Sequence, residues 1–128
     1  MKFTFQTPTR LIFGSGRLDA LGDEKHPGKK ALLLTSRGKS AERTGALERT
    51  MNALERAGAE YVYCPMVESN PVVDNVMKAA LAAREAECDF VVALGGGSVM
   101  DCGKAVAMMA TNPGDFWDYV PQGTGGRK

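Results

Sequence analysis

The chain has 128 residues, 44% hydrophobic and 24% charged, and its 16 Lys and Arg against 15 Asp and Glu leave a formal charge of +1. That length and balance describe one ordinary globular domain able to bury a real core. They give no basic excess for nucleic acid or an anionic membrane, and no apolar run nears the roughly 20 residues that span a bilayer.

The first segment, KFTFQTPTRLIFGSG, alternates apolar and polar residues, with Phe3 and Phe5 on one face. It predicts a short β-hairpin over about 2–6 and 10–13, interrupted at Pro8. The N-terminus lacks an apolar signal core. Gly14 and Gly16 then turn the chain into a short helix with Leu18 and Leu21 inward. They do not open a GxGxxG motif, because Asp19 stands where the third glycine belongs.

ALLLT, from Ala31 to Thr35, is a continuous apolar run that reads as a strand buried on both faces. AERTGALERTMNALERAG follows as a helix, with Leu47, Met51 and Leu54 along one stripe and Gly58 as its stop. AEYVYC is the next strand and PMVESN a loop. Pro71 suits the first turn of a helix running on through VVDNVMKAALAAREAE, with Val73, Met77, Ala80 and Arg84 roughly on one stripe. DFVVAL reads as a third buried strand, GGG as a turn, and SVMDCGKAVAMMATN as a third helix. The tail FWDYVPQGTGGRK is Gly-rich and irregular; Trp117 and Tyr119 in it read as packing residues rather than a cleft edge.

Strands alternating with helices predict a mostly parallel, Rossmann-like α/β sheet with helices on both faces, preceded by the hairpin. The three cysteines, Cys64, Cys88 and Cys102, are scattered and odd in number. They suit reduced core thiols in a cytoplasm. A single histidine, His26, in the loop-like DEKHPGKK, cannot make a His-rich metal site and reads as a solvated loop residue.

Ligands of open α/β sheets bind beyond the carboxyl ends of the strands. Three loops qualify, those after Thr35, Cys64 and Leu94. The last is GGGSVMDCGK. Its glycines admit close approach of a ligand, and the helix opening at Ser98 aims free N–H groups at the same point, a geometry suited to phosphate. A plain strand-to-helix turn is the competing reading. In that reading Ser98 and Asp101 form an S-x-x-D capping box and Lys104 pairs with Asp101. A P-loop is excluded: Ser98 stands where its first glycine belongs, and Ala105 where its Ser or Thr belongs. Gly103 reads instead as the point where the helix packs closely on its strand.

LGGGSVMDCGKAVA resembles the GGGSxxDxxK segment of the iron-containing alcohol dehydrogenases. The likeness extends along the chain through PTRLIFGSGRLDALG, KALLLTS, SNPVVDNV and FWDYV, and the butanol dehydrogenase and aldehyde reductase branch looks most similar. The resemblance implies a cytoplasmic enzyme, of a kind in which homodimers are common, that interconverts alcohols and aldehydes with a nicotinamide cofactor. It implies that Gly95, Gly96, Gly97 and Ser98 hold the pyrophosphate, that Asp101 lies near the cofactor, and that Asn70 lies near its nicotinamide end. Many NAD-using relatives carry Asp at the position that looks like Ser36. Here Ser36, Arg37 and Lys39 suit a 2′-phosphate, favouring NADP(H) over NAD(H).

The family's Fe2+ or Zn2+ is held in a second, helical domain that residues 1–128 do not resemble. The chain is therefore expected to be the cofactor-binding domain of a longer enzyme, inactive alone. The glycerol dehydrogenase and dehydroquinate synthase branch shares this nucleotide half. A non-catalytic flavodoxin-like domain is a further alternative, although Asp89 and Asp101 do not form the acidic cluster a receiver domain of that type needs.

Overall fold

The computed structural model describes residues 2–68 and 73–120. Within them three parallel strands, β1 (Lys30–Ser36), β2 (Glu60–Val67) and β3 (Phe90–Leu94), form one sheet in the order β2-β1-β3. Helices α1 (Ser40–Arg43) and α2 (Ala46–Arg56) follow β1, α3 (Val73–Glu85) follows β2, and α4 (Gly97–Thr111) follows β3. Two 3-10 helices, Arg17–Asp23 and Phe116–Tyr119, complete the described elements. The alternation expected from the sequence is present, in parallel.

β1 is central, and its alternate residues serve two cores. Leu32 and Leu34 face α3 and α4, where they meet Val76, Val99 and Val106. Ala31 and Leu33 face α2, where they meet Leu47 and Leu54. All four are fully buried, as a strand covered on both faces requires. β3, expected to be equally buried, is half-exposed along its whole length. Among the described strands it pairs with β1 alone, and none of the others lies along its outer edge.

The helix expected after β1 is two helices. Gly45 at φ 72° separates α1 from α2. α2 buries Leu47, Thr50, Ala53 and Leu54, with Met51 at the rim. It ends where expected. Gly58, at φ 74°, donates to Glu55 O, and Ala59 donates to Leu54 O, the paired bonds of a Schellman stop. α3 turns a different face inward from the one expected: Val76, Ala79, Ala80 and Ala83. Only Ala80 belongs to both stripes. The alanines let α3 lie close on its neighbours, while Arg84 stays at the surface and donates to the carbonyls of Met109 and Ala110, closing the end of α4.

The predicted hairpin is absent, for residues 2–13 form no strand. Pro8 has no N–H to give a ladder, and QTPT lacks the Asn-Gly or Asp-Gly chemistry of a tight hairpin. Thr7 Oγ1 instead accepts from Thr9 N, a local bond that competes with strand pairing. A two-stranded hairpin is marginal by itself. Phe3, Phe5, Leu11 and Phe13 are consequently exposed.

The opposite end of the sheet is clamped by a carboxylate. Asp89, just before β3, accepts from Lys29 N and Lys30 N at 2.8–2.9 Å. These bonds hold its carboxyl below the ordinary Asp value. His26 also sits at this end, half-buried rather than solvated. Its ring stacks on Phe90 with centroids 5.4 Å apart.

Candidate cofactor cleft

The carboxyl ends of the three strands meet at one cavity of about 770 Å3. Ser36, Arg37 and Gly38 enter it from β1, Val67 and Glu68 from β2, and Gly95–Val99 from β3 and α4. The three loops singled out in the sequence therefore converge, as the topology of an open parallel sheet dictates.

The glycines of the third loop divide into two kinds. A Cβ on Gly95 would lie 2.6 Å from Val99 Cγ2 and 2.9 Å from Val99 Cβ. Gly95 is therefore required by the fold. Around Gly96 and Gly97 a Cβ would meet nothing within 4 Å. Gly96, at φ −80° and ψ −169°, has a backbone that any residue adopts. Neither glycine is demanded by the chain's own packing, and the space that they leave open belongs to the cavity.

α4 starts at Gly97, capped at Gly96 with no side-chain hydrogen bond. Ser98 is thus the second helical residue and not the cap, so the capping-box reading fails on position. Val99 N and Met100 N donate to Gly96 O at 3.0 and 3.1 Å, and the positive end of the helix dipole lies at this first turn. Here that end opens into the cavity, beside the two unhindered glycines. Gly103 has the packing role expected of it: a Cβ there would stand 2.7 Å from Ala93 Cβ on β3.

The β1 loop is tied down at both ends. Ser36 Oγ donates to Gly38 O at 3.3 Å. Arg37 N donates to Val67 O at 2.8 Å, and the Arg37 guanidinium meets the Glu68 carboxylate at 2.8 Å. Of the residues predicted from sequence, Ser36, Arg37, Gly95, Gly96, Gly97 and Ser98 line the cavity. Lys39 caps α1, and the lining does not include it. Asp101 points along the exposed side of α4, where it pairs with Lys104 at 3.0 Å. Asn70 lies outside the described residues.

Glu68 was missed. β2 runs to Val67 rather than ending at Cys64, which brings Glu68 to the strand's carboxyl end. The sequence signal was the loop's position after a strand, not the residue itself. Of the two residues expected to pack, Tyr119 does lie against the core, together with Phe116, whereas Trp117 is exposed. Among the described residues no three His, Cys, Asp or Glu side chains gather as a metal site, and no helix is long and apolar enough to cross a membrane.

Comparison with known proteins bears on the family and the fold. The family model described as "Iron-containing alcohol dehydrogenase" matches residues 8–128. A probable NADH-dependent butanol dehydrogenase of Bacillus subtilis is 42% identical over 118 residues, 92% of this chain and 30% of the relative. The NADPH-dependent aldehyde reductase YqhD of Escherichia coli is 34% identical over 126 residues, 98% of this chain and 32% of the relative. The crystal structure of NADH-dependent butanol dehydrogenase A from Thermotoga maritima superposes with a TM-score of 0.86 at 35% identity, covering 91% of this chain and 30% of that one. The chain thus spans about 30% of the length of these relatives.

Proposed function

The chain belongs to the iron-containing alcohol dehydrogenase family, and from that premise we propose that residues 1–128 are the dinucleotide-binding domain of an enzyme that interconverts alcohols and aldehydes. The nicotinamide cofactor, when bound, supplies the hydride acceptor or donor. This chain's own part is to hold the dinucleotide. The pyrophosphate rests on Gly95, Gly96, Gly97 and Ser98, against the N–H groups and positive end of α4. The observation that carries the reading is that the chain's own packing demands a glycine at neither Gly96 nor Gly97, while a phosphate lying on the backbone there would.

The β1 loop supports NADP(H) over NAD(H). Ser36 offers a hydroxyl where a carboxylate would repel a 2′-phosphate, and Arg37 brings a cation to the same wall. Lys39 and Asp101, away from the wall, make no direct contact on this reading. The divalent metal of the family is held by residues beyond those described, and small alcohols or aldehydes are the substrates.

The test is a titration of the chain with 5′-ADP, followed by NMR, for wild type and Gly97→Ala. Gly97→Ala is expected to keep its fold and melting temperature. It should weaken 5′-ADP by about tenfold, the worth of one charge-assisted hydrogen bond to phosphate. Equal binding by wild type and variant would remove the loop from the phosphate site.

A further inference from the structure

We infer that Glu68 is a specificity-determining residue that restrains binding of a 2′-phosphate by occupying Arg37; this rests on the proposed dinucleotide site. The origin lies in the backbone. Thr35 pairs with Pro65, but Ser36 pairs with Val67, so Met66 is an extra residue in β2. Pro65 has no N–H for the ladder, and a bulge there lets the pairing resume one residue on. The bond from Arg37 N to Val67 O then fixes the two strand ends in register. Arg37 and Glu68 become neighbours across the sheet, each the first residue after its strand, and their side chains join at 2.8 Å on the cavity wall.

The consequence for a ligand is a difference between two ribose groups. A 2′-hydroxyl is neutral and can donate to a carboxylate such as Glu68 while the ion pair stays intact. A 2′-phosphate must share Arg37 with Glu68 or take it away, and in either case lies beside the carboxylate. Glu68 therefore opposes the 2′-phosphate twice, by competition for the cation and by like charge. The pair is solvent-exposed, with the two side chains 69% and 47% accessible, so the restraint is modest and adjustable rather than absolute. On this account the absence of a carboxylate at Ser36 opens the site to NADP(H), and Glu68 keeps NAD(H) competitive.

The test measures 2′,5′-ADP and 5′-ADP affinities for the full chain and its Glu68→Gln and Arg37→Gln/Glu68→Gln variants. Glu68→Gln is expected to raise the ratio of 2′,5′-ADP to 5′-ADP affinity by about three- to tenfold. In the double variant most of that gain should vanish, because the liberated cation is gone. A ratio that stays the same or falls in Glu68→Gln overturns the role of Glu68 while the dinucleotide site stands. A gain that persists in full without Arg37 also overturns it. If 5′-ADP binds to none of the proteins, the site itself fails and the inference with it.

Discussion

Gly103 of α4 rests directly on Ala93 of β3: a Cβ on the glycine would stand 2.7 Å from the alanine's Cβ, with Val91 Cγ1 at 3.7 Å and Leu34 Cδ2 at 3.9 Å behind it. Ala93 lies opposite Leu34 in the β1 pairing, so the strand cannot retreat without disturbing the ladder. Gly103→Ala gains helix propensity of about 1 kcal/mol. It is nonetheless expected to destabilise the chain by about 1–3 kcal/mol through overpacking. Urea unfolding measures this. Adding Ala93→Gly should restore part of the loss, and a more stable single variant would mean that the helix and strand are not in tight contact.

Asp89 makes stability depend on acid in a stated direction. Its carboxyl titrates below the ordinary Asp value because Lys29 N and Lys30 N donate to the ionised form. A group with a lowered folded-state pKa stabilises fully above its unfolded value, about 4 for Asp, and that contribution fades as pH falls through the folded-state value. Asp89→Asn should lower the melting temperature at neutral pH, with the gap to wild type closing below about pH 4. Melting curves from neutral pH downward check it; a gap that widens in acid would reverse the sign. Asp19, held low by Arg49, contributes to acid unfolding in both proteins and drops out of the difference.

The buried thiols should be inert. Burial, with smaller effects from Cys102 and Cys88, pushes the Cys64 thiol up to about 11. Burial also raises Cys102. At pH 8 the Cys64 thiolate fraction is then about one in a thousand, and thiolate is the species that attacks a disulfide reagent. Native protein with Ellman's reagent should leave Cys64 and Cys102 unmodified, while in guanidinium all three cysteines of the chain react. Mass mapping of the labelled peptides identifies the sites. Rapid native labelling of Cys64 would contradict its buried place on β2, in the core shared with α3 and α4.

How much of this was legible in the sequence depended on which forces set each feature. ALLLT read as a doubly covered strand and GGGS as the turn after another, so the sheet, the helices and the place of the glycine turn were readable from hydrophobic runs and glycine. Gly58 announced its Schellman stop by chemistry alone. The hairpin failed because alternation in KFTFQ states only that a strand would have one apolar face. It does not supply a partner, and none of the described strands pairs with it. Glu68 was hidden for another reason. Its place follows from a bulge at Pro65 that moves the end of β2 forward, a registry effect between two strands that no single segment encodes. Similarly, Gly96 and Gly97 look like Gly95 in the sequence, and only the atoms around each one separate a glycine that the packing requires from two that it does not.

Asp101 offers the sharpest separation between scaffold and ligand roles. The resemblance puts it near the cofactor, yet its carboxylate pairs with Lys104 on an exposed helix face, both side chains at least three-quarters accessible. An exposed i,i+3 pair of this kind is worth less than about 1 kcal/mol, and salt weakens it further. Asp101→Asn should therefore leave the melting temperature nearly unchanged, and the small difference should shrink as salt is added. Since Asp101 does not line the cavity, 5′-ADP affinity should change by less than about twofold. A loss of about tenfold with an unchanged melting temperature would mean that Asp101 reaches the nucleotide directly, because removing a negative charge cannot weaken an anionic ligand through water. Calorimetric titration beside a melting curve on the same sample distinguishes the two.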